Sequence, residues 1–255
     1  MPLLETLGSS GARGFGLFGK VSYSQALPNT FANLAAWYLA DNWTGSSWTD
    51  SSGNGRTATT YTGTITKNTA YSAQNGATKS FTALSSADGL GGIRLPSDLD
   101  INADNYTLFH VTRRINSETS GADLVLRGRI IDGLGDNWLS GFWAGVSGVA
   151  FHMNWLTPTD VDNYVNNWVI STDQYSLYRS NAVTRSTLGA TPGSLSSNTT
   201  VTINYGNYGP GGGSGSEKGK WAVAEVIFFN RKLSSAEYEL IEGYLANKYG
   251  MTLGA

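Results

Sequence analysis

Several aromatic side chains of this sequence stand directly beside amides, acids or a guanidinium. Asp136, Asn137 and Trp138 are consecutive. His152, Asn154 and Trp155 follow within a short stretch, and Tyr178 and Arg179 lie just before Asn181. Asp162 to Trp168 repeats the theme with Asn163, Tyr164, Asn166 and Asn167. An aromatic ring offers a flat apolar surface to the C–H face of a sugar, while Asn, Asp and Arg fork hydrogen bonds to neighbouring hydroxyls. Asn137, Trp138, His152, Asn154, Trp155, Tyr178, Arg179 and Asn181 are therefore the candidate glycan-binding residues. The chain holds 8 Trp and 13 Tyr in 255 residues. The same rings could fill a core while their polar neighbours cap turns, and spacing alone leaves both readings open.

Other chemistry finds less support. Glycoside hydrolysis needs two carboxyl groups at a fixed separation. On a strand that means acids at alternate positions, and no such run occurs. Glu225 sits alone among Val223, Ala224, Val226 and Ile227, and reads as a buried acid tied to an Arg or to backbone amides. His110 and His152 lack zinc-motif spacing, so each reads as a strand histidine hydrogen-bonded to a neighbour. Serine-elbow and phosphate-loop patterns are absent, and the Gly-rich stretch 209–219 does not open a helix. The expectation is a protein that is not an enzyme. Calcium is the one cofactor with candidates, since hard cations take several oxygens. Asp50 with Asn54, Asp132 with Asp136 and Asn137, and Asp160 with Asp162 could each contribute, although turn chemistry explains each cluster too. The absence of cysteine removes disulfides and thiolate sites.

These residues need elements to hold them. Charged residues make up 14% and hydrophobic residues 40%, with 32 glycines. That balance suits many short strands joined by tight turns. Strands are expected at Phe81–Leu84, Ile93–Leu95, Tyr106–Ile115, Leu124–Ile131, Trp138–Ala144, Val149–Trp155, Trp168–Ser171, Ser176–Arg179 and Val201–Tyr205. In Val149–Trp155, alternation puts Val149, Phe151, Met153 and Trp155 on one face. The stretch from Trp221 to Phe229 is apolar at both odd and even positions, so both faces should be covered. Simple alternation puts Trp221, Val223, Ile227 and Phe229 on one face and Ala222, Ala224, Val226 and Phe228 on the other. Ser234 with Glu237 forms a capping box. Tyr238, Ile241, Leu245 and Tyr249 form a helical stripe, and Gly250 is placed to end that helix.

The formal net charge of -2, without a basic run, argues against nucleic acid. No apolar run approaches the roughly 20 residues that cross a bilayer. Residues 1–29 read as an arm in which Phe15, Leu17 and Phe18 alternate with glycines. Gly lets a backbone follow a foreign surface closely, and the aromatics supply burial. The start lacks the pattern of a signal peptide.

Three stretches carry a resemblance. Asp50, Ser52, Gly53, Asn54 and Gly55 follow Trp48 in a Trp-x-Asp-x-Ser-Gly-x-Gly first turn. The segment Asn137–Trp155 and the terminal strand and helix are the other two. Together they resemble concanavalin A-like (laminin-G-like) jelly-roll domains over roughly residues 30–250, most closely the jelly-roll virion proteins of large algal DNA viruses and phages. The resemblance implies an all-β, two-sheet antiparallel jelly-roll sandwich over residues 30–255, with one C-terminal α-helix. It also implies a structural component of a capsid or tail surface that is not an enzyme and can grip host glycans. The arm would then bind other subunits in a homo-oligomer or larger assembly. A secreted or cell-surface lectin is the alternative, and a glycan hydrolase or lyase a third.

Overall fold

The computed structural model describes residues 27–101, 105–115, 128–159, 166–195, 199–205 and 217–254. The arm residues Phe15, Leu17 and Phe18, the Asp160 and Asp162 pair and most of the Gly-rich stretch lie outside them. A 3₁₀ turn at Pro28–Thr30 precedes the first strand.

Two antiparallel sheets stack face to face. The first contains β1 (Leu34–Trp43), β2 (Trp48–Asp50), β4 (Thr66–Tyr71), β5 (Phe81–Ser86), β8 (Thr107–Arg114), β12 (Val169–Gln174), β13 (Leu177–Ser180), β14 (Val183–Thr184) and β16 (Trp221–Phe229). Its order is β14-β13-β12-β8-β16-β1-β2, with β4 and β5 branching from β16. The second contains β3 (Thr60–Thr62), β6 (Gly92–Arg94), β7 (Asp100–Ile101), β9 (Ile131–Leu134), β10 (Trp138–Trp143), β11 (Val146–His152) and β15 (Thr199–Ile203). Its order is β11-β10-β9-β15-β6-β3, with β7 beside β15. The expected two-layer sandwich with one terminal helix is what the chain forms. Among the described residues no helix is long and apolar enough to cross a membrane.

Strand β16 organises the first sheet because it is apolar on both sides. Trp221, Val223, Val226 and Phe228 enter the core between the sheets. Ala222, Ala224, Ile227 and Phe229 pack beneath the helix α1 (Ser235–Tyr249). This corrects the simple alternation. The register against β8 shifts between Val223 and Glu225. One extra residue in a strand flips every later side chain to the other face. The same point divides the other edge, where Val223 pairs with Leu84 of β5 and Glu225 with Leu39 of β1.

The helix ends as its sequence requires. The Glu237 carboxylate accepts from the Ser234 N–H at 2.9 Å, and Gly250 closes the helix at φ 65°. Ile241, Leu245 and Tyr249 are buried against the sheet, with Tyr238 partly buried. Burial on the helix side leaves Glu225 fully enclosed. Its Oε1 accepts from Trp37 Nε1 at 2.6 Å and the Tyr244 hydroxyl at 3.2 Å. Its Oε2 accepts from Lys248 Nζ at 2.6 Å and the Tyr249 hydroxyl at 2.5 Å. The acid is buried and paired as expected, but its partners are Lys, Trp and Tyr side chains. Burial first, then the nearby Glu225 charge, raise the Tyr244 and Tyr249 hydroxyls above the usual phenol range.

Candidate functional site

The hairpin of β10 and β11 builds the most suggestive surface feature. Its two-residue turn is Ala144-Gly145, with φ 46° and 97°, the paired positive values that let a hairpin turn tightly. Register pairs Trp138 with His152, Leu139 with Phe151, and Trp143 with Val146. Trp138 and Phe142 enter the core between the sheets. Leu139, Val146 and Val149 form a separate cluster, against which Trp143, Phe151 and Trp155 pack.

β11 ends at His152, short of the expected Trp155. Met153 takes φ 59°, and the His152 N–H donates to the Asn154 carbonyl at 2.8 Å. The chain therefore doubles back, and Phe151 bridges to Trp155. Met153 leaves the shared face and is exposed. The turn brings the Trp155 ring 5.1 Å from Phe151 and 5.0 Å from Trp143, both edge to face. Trp143, Phe151 and Trp155 each remain partly exposed.

Polar groups complete the recess. Arg129 Nε meets Glu217 Oε2 at 2.5 Å, and the Arg129 N–H donates to the Glu217 carbonyl at 2.7 Å. With Asn137, Leu139 and the three rings they line a depression of about 180 Å³. Asn137 Oδ1 is buried and holds no hydrogen bond among the described residues. Native proteins rarely leave such an acceptor unsatisfied.

Only part of the expected glycan set is here. Asn137 and Trp155 line the recess. Asn154 is exposed beside it and donates to the Thr191 carbonyl at 3.3 Å. The structure ties the other residues into internal packing or hydrogen bonds away from the recess, Asn181 while partly exposed. Trp138 is fully buried, stacked 5.4 Å from the His152 ring. Its indole N–H donates to the Tyr106 hydroxyl at 3.3 Å, which donates to Asp173 at 2.8 Å. His152 closes this internal chain, with Nε2 3.2 Å from Asp173 Oδ2 and Nδ1 2.7 Å from the Tyr175 carbonyl. The Tyr178 hydroxyl is buried 2.9 Å from Ser171 Oγ. Arg179 binds Glu242 through Nε at 2.8 Å and Nη2 at 3.0 Å. Asn181 Oδ1 accepts from the Ile170 N–H at 2.9 Å. His110 is likewise internal, between Thr112 Oγ1 at 2.9 Å and Ser140 Oγ at 3.0 Å. Burial pushes its pKa down to about 3.

The metal candidates also serve the fold. Asp50 Oδ1 accepts from the Trp37 and Ser52 N–H groups at 2.9 and 2.8 Å. Its Oδ2 accepts from the Ser52 hydroxyl at 2.7 Å and the Arg56 N–H at 3.0 Å. A carboxylate has about four acceptor sites, so the first turn's own donors fill this one. Asn54 turns its Nδ2 donor to the Leu34 carbonyl at 2.8 Å. Asp132 is fully buried and accepts from the Thr202 hydroxyl. Asp136 accepts from Thr199 Oγ1 at 2.5 Å. Among the described residues no three His, Cys, Asp or Glu side chains gather as metal ligands.

Trp143, Phe151, Arg129 and Glu217 had no place among the sequence candidates. Trp143 has no adjacent amide or acid to mark it. The Ala144-Gly145 turn after it was the available signal, because a two-residue hairpin fixes which rings share a face. Arg129 and Glu217 come from distant segments and carried no local signal.

No protein-family model matches this chain, and no curated protein matches it. Solved structures do. Domain 4 of AbnA, a GH43 extracellular arabinanase from Geobacillus stearothermophilus, in complex with arabinotriose, matches with a TM-score of 0.52 at 19% identity. The match covers 82% of this chain and 98% of that one. A mutant Trypanosoma rangeli sialidase displaying trans-sialidase activity matches at 0.51 and 14%, covering 87% of this chain and 34% of that one. A receptor binding domain matches at 0.51 and 14%, covering 88% and 53%. At these identities the likeness is one of fold.

Proposed function

We propose that this chain is a glycan-binding module that is not an enzyme, and that it holds sugar at the recess of Trp143, Phe151 and Trp155. The carrying observation is that the three rings meet at the surface beside the Arg129–Glu217 pair. Sugar C–H faces would lie on the rings, and ring hydroxyls would reach the ion pair. Among the described residues Glu217 is the one carboxylate lining the recess, and Arg129 pairs with it. Glu225, Glu242 and Asp173 are committed to internal partners. That supports binding over hydrolysis, which works with two carboxyl groups. The match to an arabinanase domain in complex with arabinotriose, nearly the whole of which this chain spans, adds support. A glycan array probed with and without Ca²⁺ tests the proposal. Binding to neutral oligosaccharides upholds it, and an array blank under both conditions overturns it.

A second reading makes the same domain a virion surface component anchored by its arm. It is favoured by Phe15, Leu17 and Phe18 among glycines. Deleting residues 1–20 should then abolish incorporation into particles, and unchanged incorporation would refute it.

A further inference from the structure

The outer face of the second sheet carries another recess at its far end. Register places Phe151, Leu139, Asp132, Thr202, Arg94 and Thr60 opposite one another across β11, β10, β9, β15, β6 and β3. Directly opposed residues share a face. Arg94 therefore stands on the same face as Phe151, four strand spacings away, or about 19 Å at about 4.8 Å each. Asp132 and Thr202 between them are buried and hydrogen-bonded together, so the two recesses are separate.

The second recess has a volume of about 440 Å³, within the roughly 300–1,000 Å³ range of ligand pockets. Thr57, Thr59, Thr60, Arg94, Ser97 and Asp98 supply its polar lining. Asp98 is met by Arg56 Nε at 2.6 Å. No hydrogen bond or ion pair holds the Arg94 guanidinium among the described residues. Arg94 is thus the unbalanced charge of the cleft, surrounded by hydroxyls.

We infer that this cleft binds the carboxylate of an acidic sugar unit, with Arg94 as its partner and the Thr and Ser hydroxyls meeting the ring. The inference builds on the glycan-binding reading. A guanidinium fork matches a carboxylate in shape and offers two parallel hydrogen bonds. One free cation suits one negative charge. A phosphate dianion would meet only that cation, leaving its second charge unmatched. The hydroxyls, which can both donate and accept, suit a polyhydroxylated ring.

Three titrations of the full chain test this: trigalacturonate, its methyl ester, and arabinotriose. The acid trimer should bind at least about tenfold more tightly than the ester, as one charge-assisted hydrogen-bonded contact predicts. Arg94→Gln should erase that difference while leaving arabinotriose binding and the circular-dichroism spectrum unchanged. Equal binding of acid and ester, an unaffected Arg94→Gln variant, or no binding of the acid trimer would each overturn the inference. So would inorganic phosphate displacing the acid trimer as effectively as free galacturonate does, because the cleft would then read charge alone. Arabinotriose reports the aromatic recess separately, so failure of one site does not imply failure of the other.

Discussion

Glu225 and Asn137 both sit among aromatic rings, and their surroundings could hardly differ more. Around Glu225, Trp37, Tyr244, Tyr249 and Lys248 converge until every oxygen has its donors. Around Asn137, the rings of Trp143, Phe151 and Trp155 stay partly exposed, and the amide oxygen holds no partner among the described residues. The first cluster fastens a helix to a sheet. The second has the same chemical ingredients arranged with one side open. Aromatic residues beside polar ones thus signal two opposite outcomes, and closure of the hydrogen-bond network separates them.

The comparison is broken most severely at the closed cluster. Glu225→Ala leaves Lys248 and two hydroxyls facing a vacated, buried site. A loss of about 3–5 kcal/mol is expected, typical of removing one partner of a buried pair. Urea unfolding measures it, and a loss under about 1 kcal/mol would show that the network is not closed.

A second closed site should show itself through pH. The folded pKa of His110 lies near 3, below the ordinary value of 6.5. Between those values the unfolded chain binds a proton that the folded chain refuses. Stability should therefore fall as pH drops from about 6.5 toward about 3. Urea midpoints across that window measure the trend, and His110→Gln should flatten it. An unchanged slope in the variant would assign the titration elsewhere.

The smallest effect concerns the helix end. The Arg231 guanidinium first, then the Ser234 N–H, hold the Glu237 carboxyl down to about 2 from 4.5. Its contribution is present above about pH 4.5 and disappears as pH falls toward 2. Ser234→Ala should cost about 1 kcal/mol at neutral pH, readable as a small drop in Tm. No change would mean that the cap does not support the closed cluster beneath α1.

The architecture was legible because its signals are local. Ser234, Glu237 and Gly250 mark both helix ends, and an apolar run from Trp221 to Phe229 can only be an interior strand. The faces of that strand were not legible, since no Gly marks the irregularity at Glu225. The glycan set divides for the same reason. Trp138, beside Asp136 and Asn137, looks better suited to sugar in sequence than Trp143, yet hairpin register turns Trp138 inward and leaves Trp143 at the surface. Arg179 was unreadable because its partner Glu242 arrives from the terminal helix.

The open recess is tested most directly by isothermal titration of arabinotriose into the wild-type chain and into Trp155→Ala. Removing one stacking ring should weaken binding about fivefold or more, taking as a guide the roughly 1–3 kcal/mol that an aromatic ring contributes when a nucleic-acid base stacks on it. The circular-dichroism spectrum should remain that of the wild type. Binding that persists undiminished in Trp155→Ala, or a wild-type chain that takes up no neutral oligosaccharide, would contradict the claim that these rings form a sugar site.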